Sequence, residues 1–300
     1  MAVVINPISG TGGHSGGAER LLATAVHLLD ARGYEPTVFL TERPGHAREL
    51  TAAAVRQGAS TVVAWGGDGT VNEVASALTF GTARLAVVPS GSGNGLAREL
   101  RIPFDVGRAL DVALGDADRV IDVGELAGHR FVNVAGVGLD ASIAQQFAQL
   151  GRARRGFVRY AEITIRELRS YQPAEYAVTS SAGEWRGRPL LIAFANGRQY
   201  GNGAVIAPQA RLDDGELDVV TVAHRSLPAT LMSLPRLFGG KADRVTGVDI
   251  RRTRTFTIES GQPILFHVDG EPVVGSNTLE GRVHAGVLRV AVPGRQPTKR

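Results

Sequence analysis

Short apolar runs alternate with segments of helical spacing along the first 125 residues. Strands are predicted at residues 3–5, 37–40, 61–65, 85–88 and 119–123. Helices are predicted at residues 18–32, 47–56, 70–78, 93–100 and 106–114, where apolar side chains recur every three or four positions. This alternation predicts an α/β domain with a parallel sheet and helices on both faces. Ligands of such sheets bind at the carboxyl ends of the strands.

The pattern changes after about residue 124, where short alternating strands are separated by glycine and proline turns. Such strands are predicted at residues 131–134, 176–179, 190–195, 217–222, 255–259, 264–268 and 287–292. Helices interrupt them near residues 141–150, 158–170 and 227–237. We therefore predict a mostly antiparallel, β-rich second domain, a sandwich or a barrel. The predicted domains span residues 1–124 and 125–293, and residues 294–300 are expected to form a frayed tail.

Three glycine-rich loops, at residues 6–13, 66–70 and 89–95, each follow a predicted strand and precede a helix. Glycine permits tight turns and the close approach of a ligand, and the N-terminus of a helix favours an anion such as phosphate. Since all three loops are expected at one edge of the sheet, they predict a phosphate site. Asp68 would repel a polyphosphate unless it holds a metal, binds a sugar hydroxyl or takes up a proton.

The same loops contain residues with other interpretations. Thr70 and Glu73 have the spacing of a capping box for the helix that follows. The loop at residues 6–13 misses the dinucleotide fingerprint, because Ser15 occupies the last glycine position, and this disfavours a Rossmann oxidoreductase. The only lysines are Lys241 and Lys299, so the chain contains no Walker A loop.

Composition limits the class of protein. The hydrophobic share of 43% and the charged share of 21% are those of a globular protein, and no apolar run reaches the roughly 18 residues of a membrane span. The absence of cysteine and of a basic leader fits a cytoplasmic protein. The net charge of +4 comes almost entirely from arginine and would assist contact with an anionic membrane. No nucleic acid partner is expected, because no known binding module occurs.

The order of the motifs resembles that of the diacylglycerol kinase catalytic family, which includes bacterial lipid kinases and the sphingosine and ceramide kinases. The resemblance covers nearly the whole chain. It rests on Asn6-Pro7-x-Ser9-Gly10, Gly66-Gly67-Asp68-Gly69-Thr70-x-Asn72-Glu73, Pro89-x-Gly91-Ser92-Gly93-Asn94, Ile121-Asp122-Val123-Gly124, Phe131-Val132-Asn133-x-Ala135-Gly136-x-Gly138, Pro208-x-Ala210, Asp214-Gly215-x-Leu217-Asp218 and Asp269-Gly270-Glu271. The Gly66–Thr70 motif also occurs in NAD kinases and phosphofructokinases, whereas the later motifs point to the lipid branch.

The resemblance implies that the first domain binds ATP and that the second domain binds a lipid. The positions carried over for the nucleotide are Asn6, Ser9, Gly10, Thr41, Gly67, Asp68, Gly69, Thr70, Gly91, Ser92 and Asn94. Mg²⁺ is implied as the ion that bridges the phosphates. In the family the Asp-Gly-Glu and Gly-Gly-Asp segments meet at a cleft, which makes Glu271 and Asp68 the candidate acids.

We assign Glu271 the role of general base and Asp68 a nucleotide and metal role. Asp122 is a third candidate acid, for which a turn cap is the competing interpretation. Relatives carry Mg²⁺ near the segment from Asp213 to Asp218, so both aspartates are candidate metal ligands. A plain hairpin turn at Asp214-Gly215 is the alternative.

The predicted function is an ATP-dependent lipid kinase with diacylglycerol as the default acceptor. A sphingoid base or another lipid alcohol is the close alternative, followed by an NAD kinase and by a non-catalytic nucleotide- or lipid-binding protein. Contact with the inner face of a membrane is expected at the lipid substrate. Arginines between residues 152 and 169 would contribute to it, or would form a solvated face of a core helix. A homodimer is compatible with the sequence, which does not determine the oligomeric state.

Overall fold

A computed structural model gives the fold and describes residues 1–9, 17–149, 157–201 and 203–294. Contacts between Cα atoms divide the chain into two compact units. The first unit contains residues 1–121 and 286–300, and the second contains residues 122–285. The chain therefore passes from the first unit to the second and returns at its end.

The first part of the chain alternates strands and helices. In chain order these are β1 (Ala2–Ile5), α1 (Gly17–Asp30), β2 (Thr37–Leu40), α2 (His46–Arg56), β3 (Thr61–Gly66), α3 (Asp68–Leu78), β4 (Arg84–Pro89), α4 (Gly95–Glu99), α5 (Val106–Leu114) and β5 (Asp118–Leu126).

Strands predominate in the remainder. They and the intervening helices are β6 (His129–Phe131), β7 (Val134–Gly138), α6 (Leu139–Gln149), α7 (Phe157–Ser170), β8 (Tyr176–Ser180), β9 (Gly183–Gly187), β10 (Pro189–Ala195), β11 (Gln199–Gly201), β12 (Ala204–Val205), β13 (Leu217–Ala223), α8 (Leu227–Phe238), a 3₁₀ turn (Ala242–Arg244), β14 (Val248–Thr253), β15 (Thr255–Ser260), β16 (Leu265–Val268), β17 (Glu271–Val274) and β18 (Thr278–Ala291).

The first unit contains the predicted parallel sheet. Its strands lie in the order β2, β1, β3, β4, and the end of β18 follows β4 through a parallel pair between Val290 and Leu85. The central strands β1 and β3 are buried along their whole length, which explains why they are continuous apolar runs. The α/β class predicted from the sequence is confirmed.

The second unit contains two antiparallel sheets. One has the order β14, β13, β10, β7, β16, β17, and the other joins β6, β5, β18, β15, β8 and β9. One hydrophobic core contains side chains from both sheets, and Phe194 and Phe256 stack within it at a ring-centroid distance of 3.8 Å. The predicted β-rich domain is therefore confirmed, and of its two forms the sandwich is the one observed.

Helices form a further layer of the second unit. A second apolar core combines β10 and β13 with Ile143 from α6, Ile163 from α7 and Leu237 from α8. These helices therefore cover the face of the sheet containing β10 and β13 that does not contact the other sheet.

The units differ from the predicted domain bounds at the end of the chain. The predicted second domain continues to residue 293, whereas residues 286–300 group with the first unit. The cause is β18, which is more than twice as long as the predicted strand and pairs with β15 at its beginning and β4 at its end. Of the predicted tail, residues 295–300 lie outside the described residues.

Candidate active site

The loops that follow β3 and β4 are in direct backbone contact in the first unit. A Cβ atom placed on Gly91 would lie 2.5 Å from the Cα of Gly67, and one placed on Gly67 would lie 3.2 Å from the Cα of Gly91. The first distance is far shorter than any van der Waals contact between carbon atoms. Glycine at residue 91 is therefore required for the close approach of the two loops.

The loop that follows β1 is hydrogen-bonded to both of the others. The side-chain amide of Asn6 donates to Oγ1 of Thr70 at 3.0 Å, and the hydroxyls of Ser9 and Ser90 lie 2.7 Å apart. The backbone N–H of Asn6 also donates to the carbonyl of Trp65 at 2.9 Å. Three loops that are distant in the sequence thus form one contiguous group.

Asp68 connects two of these loops through its carboxylate. Its Oδ2 accepts a hydrogen bond from the backbone N–H of Asn94 at 2.8 Å, and its Oδ1 accepts one from Gly95 at 2.7 Å. The carboxylate therefore caps the beginning of α4, a role that the sequence did not suggest. A carboxylate has about four acceptor positions and can therefore make more contacts than these two bonds.

Asn94 closes the loop between β4 and α4 upon itself. Its Oδ1 accepts a hydrogen bond from the N–H of Gly91 at 2.9 Å, and its amide nitrogen donates to the carbonyl of Gly91 at 2.6 Å. Its φ of 53° lies in the left-handed region that asparagine tolerates better than most residues. Asn94 therefore shapes the loop, and its role in nucleotide binding stays a prediction.

The remaining predicted nucleotide positions lie in or beside the same loops. Gly69 begins α3 with Asp68, and Ser92 is exposed in the loop between β4 and α4. The N–H of Thr41 donates to the carbonyl of Ile5 at 2.9 Å, which places Thr41 next to the end of β1. Gly10 lies outside the described residues.

The predicted capping box of α3 is wrong. The N-cap of α3 is Gly67, and Thr70 lies within the helix and accepts the hydrogen bond from Asn6. Glu73 instead accepts hydrogen bonds from the N–H groups of Gly45 at 2.7 Å and Ala47 at 2.9 Å, at the beginning of α2. Since Asp68 caps α4, the acids of α3 stabilise the neighbouring helices.

The N-terminus of α3 lies at the point where the loops meet. The first N–H groups of a helix have no acceptor within that helix, and the aligned peptide dipoles give this end a partial positive charge. Gly67 and Gly69 leave these groups accessible, because they have no side chains. The arrangement is suited to binding a phosphate group.

In the second unit, Asp269 and Gly270 form the turn between β16 and β17. Their φ values are 48° and 87°, the signs of a type I′ hairpin turn, for which Asp-Gly is a preferred sequence. The carboxylate of Asp269 also accepts hydrogen bonds at 2.8, 2.9 and 3.0 Å from the backbone N–H groups of residues 132–134. The next residue, Glu271, is exposed at the beginning of β17.

His267 supports this hairpin from the interior of the second unit. Its Nδ1 accepts a hydrogen bond from the N–H of Gly270 at 3.3 Å, so the proton lies on Nε2, which donates to Oδ2 of Asp140 at 3.1 Å. The same oxygen of Asp140 accepts a bond from the hydroxyl of Tyr200 at 2.7 Å. The network fixes the turn that precedes Glu271.

The sequence analysis did not identify Asp140 and Tyr200 as part of this network, because no short-range pattern connects them with the hairpin.

Asp122 is buried in β5 and is only 2% exposed. Its Oδ2 accepts a hydrogen bond from the N–H of Gly215 at 2.7 Å, and its own N–H donates to the carbonyl of Leu212. The turn cap that the sequence offered as an alternative is therefore present. The catalytic role of Asp122 stays a prediction.

The two predicted metal ligands lie in different environments. Asp213 is exposed, whereas Asp218 is 2% exposed and its Oδ1 lies 3.6 Å from Nε of Arg252. Burial raises the pKa of Asp218 to about 6, although Arg252 opposes the shift. Among the described residues, no group of three or more acidic, histidine or cysteine side chains is arranged to hold a metal ion. The metal role of both residues stays a prediction.

The arginine cluster is described only in part. Arg152, Arg154 and Arg155 lie outside the described residues, as does the side chain of Arg159. Arg166 and Arg169 are exposed on α7. No helix in the described ranges combines the length and the hydrophobicity that crossing a bilayer requires.

The parallel sheet and its glycine loops are those of a kinase domain, and comparison with known proteins agrees. The family described as the diacylglycerol kinase catalytic domain matches residues 1–126. The family described as the YegS C-terminal NAD kinase beta sandwich-like domain matches residues 133–292. The chain belongs to the YegS-like lipid kinases, which are phosphotransferases.

Curated relatives span nearly the whole chain. A protein of Pseudomonas aeruginosa PAO1 named "Probable lipid kinase YegS-like" is 34% identical over 292 residues, which cover 96% of this chain and 94% of the relative. The "Probable lipid kinase YegS" of Escherichia coli O17:K52:H18 is 30% identical and covers 92% and 91%.

Solved structures show the same fold at lower sequence identity. One from Bacillus anthracis str. Sterne has a TM-score of 0.78 at 20% identity and covers 97% of this chain and 94% of its own. An NAD kinase from Archaeoglobus fulgidus, in complex with ATP, has a TM-score of 0.53 at 12% identity and covers 97% and 92%.

The raised pKa of Asp218 predicts a pH-dependent contribution to stability. Between its ordinary pKa of 3.8 and about 6, the folded protein binds more protons at Asp218 than the unfolded chain does. The free energy of unfolding contributed by Asp218 therefore falls as the pH rises through 6. From pH 5 to 7.5, the stability of the natural protein relative to Asp218→Asn should decrease by about 1 kcal/mol, as measured by urea unfolding in EDTA. A difference that does not change with pH would contradict this prediction.

The same two proteins test the predicted metal ligand. If Asp218 helps to hold Mg²⁺, adding Mg²⁺ at pH 7.5 should stabilise the natural protein more than Asp218→Asn, because an ion that binds only the folded state stabilises it. Equal stabilisation of both proteins would remove Asp218 from the metal site.

Proposed function

We propose that this protein transfers the γ-phosphoryl group of ATP to the hydroxyl group of a lipid, with diacylglycerol as the acceptor. The observation that supports the proposal most strongly is that the glycine loops after β3 and β4 meet beside the N-terminus of α3, together with Asn6 and Ser9 from the loop after β1. Membership in a family of lipid kinases supports the lipid acceptor, and the family description of residues 1–126 favours diacylglycerol.

Backbone N–H groups would bind the phosphates in this reaction. Gly67 and Gly69 have no side chains, so the N–H groups in the first turn of α3 would bind an anion directly. Asp68 and Asn94 keep the loops in place through four hydrogen bonds to backbone atoms. A lysine of the Walker A type is then unnecessary, because fixed backbone dipoles stabilise the phosphate charge.

Glu271 would act as the general base. In the transfer, the lipid oxygen forms a bond to the γ-phosphorus, the bond from that phosphorus to the bridging oxygen breaks, and ADP leaves. The proton of the lipid hydroxyl passes to the carboxylate of Glu271. The exposed position of Glu271 makes its carboxylate accessible to a substrate, and the bonds of Asp269 and His267 keep the hairpin rigid.

Mg²⁺ is compatible with the side chains present near the phosphate loops. This ion retains several waters and is usually bound by one or two carboxylates together with substrate phosphates, so it does not require a cage of acids. Asp68 would hold it, since it is the acidic residue in the first turn of α3, beside the proposed phosphate site. When bound, the ion would neutralise charge that develops on the phosphates.

Labelled ATP and a panel of acceptors test the proposed function. We expect Mg²⁺-dependent transfer of the γ-phosphoryl label to diacylglycerol presented in vesicles. Faster labelling of a sphingoid base would replace diacylglycerol as the acceptor, and labelling of NAD would favour an NAD kinase. Nucleotide binding without transfer to any acceptor would contradict the enzymatic role.

A methyl group at residue 91 should separate the phosphate loops. In Gly91→Ala the added Cβ would overlap the backbone of Gly67, and backbone cannot rotate away as a flexible side chain can. We expect the affinity for ATP to fall by about tenfold or more, which corresponds to roughly 1.4 kcal/mol. Calorimetric titration with a non-hydrolysable ATP analogue measures the change.

Gly261→Ala is the matched control for this variant. No atom lies within 4 Å of a Cβ placed on Gly261, so the same substitution meets no obstacle there. Its affinity for ATP should equal that of the natural protein. Equal affinity in Gly91→Ala as well would show that the contact between the loops is not needed for nucleotide binding.

A further inference from the structure

Helix α8 presents an apolar stripe to the solvent. Pro228, Leu231, Met232 and Pro235 are exposed, with Leu231 43% and Met232 76% exposed. Their spacing of three, four and seven residues places all of them on one face of the helix. Apart from Arg236, α8 contains no charged residue.

The opposite face of α8 already packs against the second unit. Leu237 belongs to the core beneath the helix, Leu234 packs against that core, and Thr230 is 5% exposed. The outer stripe is therefore not required for folding. A surface helix is normally polar on its outer face, so an apolar outer face indicates a partner.

Cationic side chains flank the stripe. The segment from residue 224 to 245 contains Arg225, Arg236, Lys241 and Arg244 but a single acid, Asp243. All four cations are exposed. An apolar stripe bordered by cations complements a surface that is anionic outside and apolar inside, as a bilayer with acidic lipids is.

A small pocket lies at the beginning of α8. It has a volume of about 260 Å³, and its lining includes Leu168, Arg169, Leu190, His224 and Arg225. Pockets that enclose drug-sized ligands measure roughly 300–1,000 Å³. The smaller volume and the two guanidinium groups suit a phosphate headgroup, not whole acyl chains.

We propose that α8, its flanking cations and this pocket dock the protein onto an anionic lipid bilayer. We call this region the α8 surface. Leu231 and Met232 enter the interface between headgroups and acyl chains, and the cations contact acidic headgroups. The inference rests on the proposed function in one respect, since a lipid acceptor resides in a bilayer. Each cation near an anionic surface strengthens binding by about fivefold. The free-energy contributions of the cations add, and salt weakens them by screening.

Vesicle sedimentation of the full chain without nucleotide tests the docking. We expect binding to vesicles of phosphatidylcholine mixed with phosphatidylglycerol, and weak binding to phosphatidylcholine alone. The double variant Leu231→Glu with Met232→Glu should partition at least about tenfold less, because it places charge where apolar groups enter the bilayer. Val26→Glu is the matched control: Val26 is 44% exposed on α1, and its replacement should leave binding unchanged.

A second measurement does not depend on a disruptive variant. The chain contains no cysteine, so Met232→Cys creates a unique site for an environment-sensitive dye. Emission at this site should shift to the blue on phosphatidylglycerol vesicles, while dye attached to Val26→Cys should not respond. No shift at residue 232 would overturn the proposal, whether or not the double variant folds.

Two further outcomes would also overturn it. Equal binding of natural protein to neutral and anionic vesicles would remove the role of the cations. If the natural protein is a dimer that the double variant dissociates without a change in vesicle binding, the stripe is a contact between copies of the chain. Since none of these readouts requires phosphoryl transfer, the docking and the enzymatic proposal can fail independently.

Discussion

Glu271→Gln should lower kcat by about 10²–10⁴-fold, the usual contribution of a general base. Glutamine keeps the shape of the side chain but does not accept a proton at neutral pH. Since Glu271 is exposed and the hairpin depends on Asp269 and His267, the variant should fold normally. The affinity for ATP should remain within about twofold, because the base acts on the acceptor hydroxyl and not on the nucleotide. Steady-state kinetics with vesicle-borne diacylglycerol measures the effect.

Glu259→Gln provides the same chemical change at an exposed position of β15 and should retain full turnover. Near-native turnover of Glu271→Gln would remove Glu271 from the role of base. A loss of ATP affinity in that variant, without a loss of kcat, would assign the residue to nucleotide binding instead.

Asp68→Asn should reduce kcat/KM for ATP by about 100-fold while the protein stays folded. An asparagine side chain has one acceptor oxygen, so one of the bonds from the N–H groups of Asn94 and Gly95 is lost. The new side-chain NH₂ group, a donor, would then face a backbone N–H, which is also a donor. Hydrogen bonds to a charged group contribute about 1.5–3 kcal/mol each, which is enough to displace the loop that they hold. Kinetics at varied ATP and a urea unfolding curve separate the effect on activity from the effect on stability.

Asp105→Asn is the matched control, since Asp105 caps α5 by accepting a hydrogen bond from the N–H of Arg108 at 2.9 Å. It should lose some stability and little activity. If excess Mg²⁺ restores part of the activity of Asp68→Asn, Asp68 also holds the metal. Unchanged activity of Asp68→Asn would contradict its placement in the site.

The hydrogen bonds of individual acids were not predicted from the sequence. From the sequence, Asp68 was interpreted as a nucleotide and metal ligand in its loop, and Glu73 as a capping residue of its own helix. In the structure they cap α4 and α2, which lie 26 to 28 residues away along the chain. Local spacing carries no information about such bonds, because the partner backbone groups come close only when the helices pack.

In the second unit, the buried strands β10 and β13 were predicted better than the exposed strands. Long apolar strands such as β10 and β13 were predicted nearly to the residue, because both are almost continuously buried. The polar strands β9, β14 and β17 were missed, since most of their residues are exposed or half-buried. Such strands form because a neighbouring strand offers hydrogen bonds, not because of an intrinsic pattern.

The sequence by itself determined the order of elements in the first unit, the places where glycine interrupts them, and the family. Periodicity and glycine positions are local properties, so they can be read along the chain. Only the tertiary structure decided which loops touch, that β18 returns to the first unit, that His267 and Asp140 support the hairpin of Glu271, and that one face of α8 remains apolar and exposed. Each of these depends on contacts between distant segments, which exist only after the core has formed.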